Sequence, residues 1–173
     1  MHRPSNRNGS LVVPTVYLET SVPSYLVARS SRDLIVAAHQ QITQEWWATA
    51  FERFDMYVSD AVIDEMGAGD VDYSARRLGL VSELGVLAFT TDVENLIHSY
   101  HERLGLVGSA TADLPHFAYA VAYEMDYLVT WNCKHIANGQ VIRRLNQINS
   151  EIQRHTPVIV TPEELLEFFP GDE

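Results

Sequence analysis

Of 173 residues only one is cysteine, Cys133. A disulfide framework and a four-cysteine zinc site are therefore excluded, and the scarcity of thiols predicts an intracellular, cytoplasmic setting. No apolar run approaches the roughly 20 residues that span a bilayer, so no membrane partner is expected. The opening MHRPSNRNGS lacks the apolar segment of a secretory signal and reads as a tail. Lysine is nearly absent; Lys134 stands alone. Positive charge is short overall, with 12 Lys and Arg against 23 Asp and Glu, a net charge of −11. A chain that grips nucleic acid chiefly through phosphates is usually basic. Here such a role needs a local site, or bound cations, to overcome a repulsive field. An acidic surface also suits a basic partner protein.

Apolar material is plentiful, at 46% hydrophobic and 10% aromatic residues. That supports one full core without a metal or disulfide staple. No repeat, low-complexity run or linker divides it. The expected organisation is a tail over residues 1–14, a single domain over 15–169 and a C-terminal tail over 170–173.

Short apolar strands alternate with amphipathic helices. Strands are predicted at Val16–Leu18, Tyr57–Val58, Val86–Phe89, Tyr127–Thr130 and Pro157–Val160. Pro23 marks a turn or helix start. Ser30 with Asp33 resembles a capping box opening a long helix over about 32–54, and Thr91 with Glu94 opens another. Ser59 could cap the helix that carries Val62, Ile63 and Met66. Further helices are expected over about 72–83 and 140–152, and from Thr111 or Asp113 onward. Thr161-Pro162-Glu163-Glu164 is a helix start. Strands separated by helices imply right-handed crossovers and a parallel sheet covered on both faces. Such sheets bind ligands beyond the carboxyl ends of their strands.

Oxygen donors recur at those ends. Glu19, with Thr20 and Ser21, follows the first strand. Glu65 rides the helix after the second, and Asp113 opens a later helix. Asn132, Lys134 and His135 follow the Tyr127–Thr130 strand. Carboxylate and amide oxygens suit Mg²⁺ or Mn²⁺, which keep waters and accept phosphate oxygens. One or two such ions can activate a water and neutralise charge on a phosphodiester, which is the physical case for a metal-dependent nuclease. Taken singly, each acid has a plainer reading: Asp113 as a helix cap, Glu65 as a solvated face. Asp64, about 100° around the helix from Glu65, reads as solvated. Cys133 reads as a small buried thiol, His116 as a packed helix residue, and His98 and His101 as exposed. Of Trp46 and Trp47, one is expected in the core and the other at a partner surface.

The stretches VYLETS (16–21), VIDEM (62–66), ADLPHFAYA (112–120) and DYLVTWNCKHIAN (126–138) resemble a PIN domain of the bacterial VapC-like group. The resemblance runs from Thr15 to Phe168, and its last stretch is the most specific. It implies a three-layer α/β/α fold around a five-stranded parallel sheet. It also implies a Mg²⁺- or Mn²⁺-dependent endoribonuclease, often the toxin of a toxin–antitoxin pair. The expected partners are an RNA substrate, a VapB-like antitoxin and a second copy in a homodimer.

Carried over residue by residue, the four catalytic and metal positions fall on Glu19, Glu65, Asp113 and Asn132. Thr20, Ser21, Arg32, Lys134 and His135 are the expected substrate contacts. Two positions depart from the pattern. Glu19 stands where aspartate is normal and is one methylene longer. Asn132 replaces a frequent aspartate and removes an ionic ligand. The competing reading is therefore a weakened or inactive PIN-fold module that binds a protein or RNA. Other α/β enzymes fit poorly: the turn after the first strand has no glycine-rich or Gly-Lys-Ser/Thr phosphate loop.

Overall fold

Strands β1 (Thr15–Leu18), β2 (Asp55–Ser59), β3 (Gly85–Leu87), β4 (Tyr127–Val129) and β5 (Val158–Val160) form one parallel sheet in the order β3-β2-β1-β4-β5. The structure is a computed structural model that describes residues 13–166. Most of the expected N-terminal tail, the end of the domain and the C-terminal tail lie outside the described residues.

The helices are α1 (Ser21–Val27), α2 (Leu34–Arg53), α3 (Asp60–Gly67), α4 (Val71–Val81), α5 (Thr91–Arg103), α6 (Leu114–Ala122) and α7 (Gly139–Glu151). Among the described residues, no helix is long and apolar enough to cross a membrane.

Successive strand residues point to opposite faces of a sheet. Val16, Tyr17 and Leu18 are all fully buried, as are Leu128 and Val129. Both faces of the central pair are therefore covered, which gives the three-layer α/β/α arrangement expected from the sequence. The register pairs Val16 with Tyr127 and Leu18 with Val129. It is pinned by Asp126, whose carboxylate accepts from both the backbone N–H and the hydroxyl of Thr15, each at 2.8 Å. The Thr15 hydroxyl oxygen accepts in turn from the Asp126 N–H at 3.0 Å.

The long helix starts later than the Ser30–Asp33 pattern suggests. Asp33 is its cap and accepts from the N–H groups of Ile35 and Val36. Ser31, not Ser30, supports it by accepting from the Asp33 N–H. Likewise Thr90, not Thr91, caps α5, accepting from Val93 N–H. Ser59 does cap α3. A 3-10 turn over Gly108–Asp113 precedes α6. Glu164 accepts from both the N–H and the hydroxyl of Thr161, but the hydroxyl caps no N–H and the described helix there is only the 3-10 turn Glu163–Leu165. Trp46 is wholly buried, while Trp47 is half-buried and edge-on to Phe51.

The chain runs outward from β1 through β2 to β3, then returns to β4 and β5 on the other side of β1. The strand order therefore reverses between β1 and β4. A crevice at that switch point is where a parallel sheet accepts ligands, and Glu19 and Asn132 follow these two strands.

Candidate metal centre

Glu19 directly follows β1 and is 6% exposed. Its Oε2 accepts from the Ser21 N–H at 3.1 Å, from the Thr130 hydroxyl at 2.7 Å and from the Ser21 hydroxyl. All three donors fall on Oε2, so Oε1 remains for a further partner. Both hydroxyls are themselves held: Trp131 N–H donates to Ser21 Oγ, and Asn132 N–H to Thr130 Oγ1. The buried acid is thus positioned by the turns that leave β1 and β4.

Glu65 projects from α3 and is half-exposed. The Thr20 hydroxyl donates to its Oε2, and His116 Nε2 lies 3.3 Å from its Oε1. Thr20 and Ser21, expected to meet substrate, thus spend their hydroxyls on the two acids. One ligand atom each from Glu19, Glu65 and His116 lie within 4.8 Å of one another.

His116 is the residue that sequence reasoning undervalued. It sits three positions after Asp113, on the same face of the helical turn, and that spacing was the available signal. It is 1% exposed yet polar on both sides. Nδ1 is 2.9 Å from Tyr17 Oη, which is 2.8 Å from Ser59 Oγ. Burial works against the imidazolium. The hydrogen bond to Glu65 and the charges of Glu19, Glu65 and Asp113 outweigh it and raise the His116 pKa. With both ring nitrogens protonated, Nε2–H donates to Glu65 and Nδ1–H to Tyr17, which donates onward to Ser59. Burial pushes the Tyr17 phenol well up, so it keeps its proton. Burial also works to raise the Glu65 pKa, but His116 and Thr20 prevail and lower it.

Asp113 forms a second cluster. It stands at the start of α6 but makes no capping hydrogen bond, so the cap reading fails. Its Oδ1 accepts from Asn132 Nδ2 at 3.0 Å, and its Oδ2 lies 2.9 Å from His135 Nδ1. A carboxylate accepts, so His135 donates from Nδ1 and Nε2 is left over. Asn132 Oδ1 accepts from the His135 N–H at 3.1 Å. Asn132 is therefore directed at Asp113 and at its own turn, and Asp113 reaches the Glu19–Glu65–His116 group through its charge on His116.

Lys134 is exposed in the same turn, and Arg32 is exposed in the turn ahead of α2. Among the described residues, no hydrogen bond or ion pair ties either to the acids. Asp64 is exposed. Cys133 is exposed rather than buried. Partial burial and Glu164 push its thiol pKa up, and His135 is engaged with Asp113, so no cysteine–histidine nucleophile forms.

The donor set fits a hard divalent cation: two carboxylates converge, one buried with an unoccupied oxygen and one open to solvent. In its neutral form, with a lone pair on Nε2, the His116 imidazole would add affinity for a transition metal over magnesium.

No family model matches the sequence, and no curated protein sequence matches it. Solved structures do. The toxin VapC20 of Mycobacterium tuberculosis, which cleaves the sarcin–ricin loop, matches over 72% of this chain and 95% of its own, with a TM-score of 0.56 at 14% identity. A chain of VapBC2 from Rickettsia felis, bound to a DNA fragment from their promoter, matches over 85% of this chain and 98% of its own, with a TM-score of 0.54 at 14% identity. The five parallel strands and these two likenesses give this chain the same fold as these two proteins, the fold that the sequence resemblance implied.

Proposed function

We propose that this protein is a metal-dependent endoribonuclease that hydrolyses RNA phosphodiester bonds, acting as the toxin of a VapBC-like pair. The observation that carries the reading is the convergence of Glu19 and Glu65 on one point at the switch of a VapC-like sheet. Glu19 and Glu65 would hold Mg²⁺ or Mn²⁺, with Asp113, whose charge acts on His116, as the proposed third carboxylate. Such an ion supplies charge to offset the anion developing on the phosphodiester and favours ionisation of water.

The chain's own residues do the rest. Ser21 and Thr130 fix the buried Glu19 carboxylate, and Thr20 and His116 fix Glu65. Asn132 acts through Asp113, aligning its carboxylate from one side while His135 holds the other. Lys134 and Arg32 are the proposed donors to substrate phosphates, with His135 holding the turn that carries Lys134. Cleavage of the sarcin–ricin loop by VapC20 supports RNA as substrate, and the VapBC2 complex supports a VapB-like antitoxin as partner. A homodimer completes the proposal.

The test is calorimetric titration of Mn²⁺ and Mg²⁺ into the wild type, Glu19→Gln and Asp113→Asn, with RNA cleavage assayed in the same buffers. Wild type is expected to bind metal and cleave. Glu19→Gln is expected to lose metal binding. Asp113→Asn is expected to lose cleavage by roughly 100-fold or more with unchanged circular dichroism. Undiminished cleavage by pure Asp113→Asn refutes the assignment.

One observation favours the second reading, a PIN-fold module that binds without cutting. The fourth position is an amide already spent on Asp113 and on His135 N–H. Absence of metal binding at millimolar concentration would select it.

A further inference from the structure

Positive charge is scarce in this chain, and part of it is concentrated. The residues 104–106 that follow α5, the first half of α7 and the turn after β4 enclose an open groove of about 680 Å³. Its ten lining residues include Lys134, Arg143 and Arg144 and no acid, in a sequence where acids outnumber cations 23 to 12.

The groove is built as well as charged. Arg144 Nη1 donates to the Leu104 carbonyl at 2.8 Å. Gly105 makes room for it: a Cβ there would lie 2.5 Å from Nη1, and its φ of +73° disfavours any side chain. Arg103 and Arg154, by contrast, are neutralised by Glu151 and Asp92. Among the described residues, Lys134 and Arg143 meet no acid. The N-terminal turn of α7 lines the groove too and adds the positive end of a 13-residue helix.

The groove also adjoins Asp113 through one turn. Asn132 and His135 hold Asp113, and Lys134 between them lines the groove. Two peptide units separate Lys134 from Asn132, so their Cα atoms lie within about 7.6 Å.

We propose that this groove is a track for the phosphate backbone of single-stranded RNA, holding the nucleotides that neighbour the phosphate presented to Asp113. The inference rests on the ribonuclease reading for its direction, but binding in the groove needs no cleavage. A groove of unpaired cations that follows a backbone is the general means of holding a single strand. It also answers how a chain of net charge −11 can hold RNA. An acidic peptide would meet the same charges. Continuity with a centre suited to phosphodiesters favours RNA.

The test is fluorescence anisotropy of a labelled oligoribonucleotide of about 12 nucleotides, in EDTA, over a salt series. The wild type is compared with Lys134→Ala/Arg143→Ala and with the charge-matched control Arg76→Ala/Arg154→Ala. Arg144 is left intact because it holds the Leu104 carbonyl. The groove variant is expected to bind about tenfold more weakly and to lose about 1.4 from the salt slope, roughly 0.7 per phosphate contact. The control should lose neither, and both variants should melt like the wild type. Equal losses in groove and control variants, an unchanged slope, no RNA binding by wild type, or tighter capture of polyglutamate than of RNA would each overturn the proposal. Mn²⁺ titration of the groove variant should match wild type. Loss of metal binding in the wild type would instead refute the ribonuclease reading and leave the groove measurement standing.

Discussion

His116 shows how a single buried side chain can organise a charged centre. Its ring lies against Glu65, and the charges of Glu19, Glu65 and Asp113 favour its imidazolium form. Its folded-state pKa is raised, so its stabilising contribution is complete below the unfolded value of about 6.5 and fades as pH rises through the folded value. Glu65 has the opposite sign. Its pKa is lowered, so its contribution is present above the unfolded carboxylate value and fades as pH falls through the folded value. The stability lost in His116→Gln, measured by urea unfolding in EDTA, should therefore be larger near about pH 6 than near about pH 9. An equal loss at both would show that the imidazole packs without its charge.

At the scale of elements, the site depends on the register of β1 against β4. That register brings Glu19 beside Thr130 and sets the turn that carries Asn132. The Asp126 carboxylate at the far end of the pair accepts twice from Thr15. Asp126→Ala should cost about 2 kcal/mol of unfolding free energy, the usual scale for hydrogen bonds to a charged group. Denaturant midpoints would measure it, and a change below about 0.5 kcal/mol would mean the register is held by packing alone. The turn after β4 is itself tightly wound, since the Asn132 carbonyl accepts from both Ile136 and Ala137 N–H groups. The 126–138 stretch that forms it is the most specific part of the sequence resemblance. The cap positions were less legible. Neighbouring Ser, Thr and Asp residues compete for one role, and only backbone geometry chose Asp33 and Thr90.

For the whole molecule, the decisive contrast is between a net charge of −11 and the local groups that RNA would meet. The Debye length is about 8 Å at physiological salt, so distant acids are screened while groups at the site act directly. The proposed homodimer predicts a mass by light scattering of about twice the 19.5 kDa of one chain. A single-chain mass at micromolar concentration would refute it.

The sequence alone determined the alternation of strands and helices, because apolar spacing and turn residues are local signals. It also located acids near strand ends. It could not say how those acids group. Glu19 and Glu65 converge with His116, whereas Asp113 is drawn to Asn132 and His135. Nor could it separate a histidine that packs from one that bridges Glu65 to Tyr17. Those outcomes follow from which strands lie adjacent and from the distances across them, and only the folded sheet brings residues about 100 positions apart within hydrogen-bonding range, as with Tyr17 and His116.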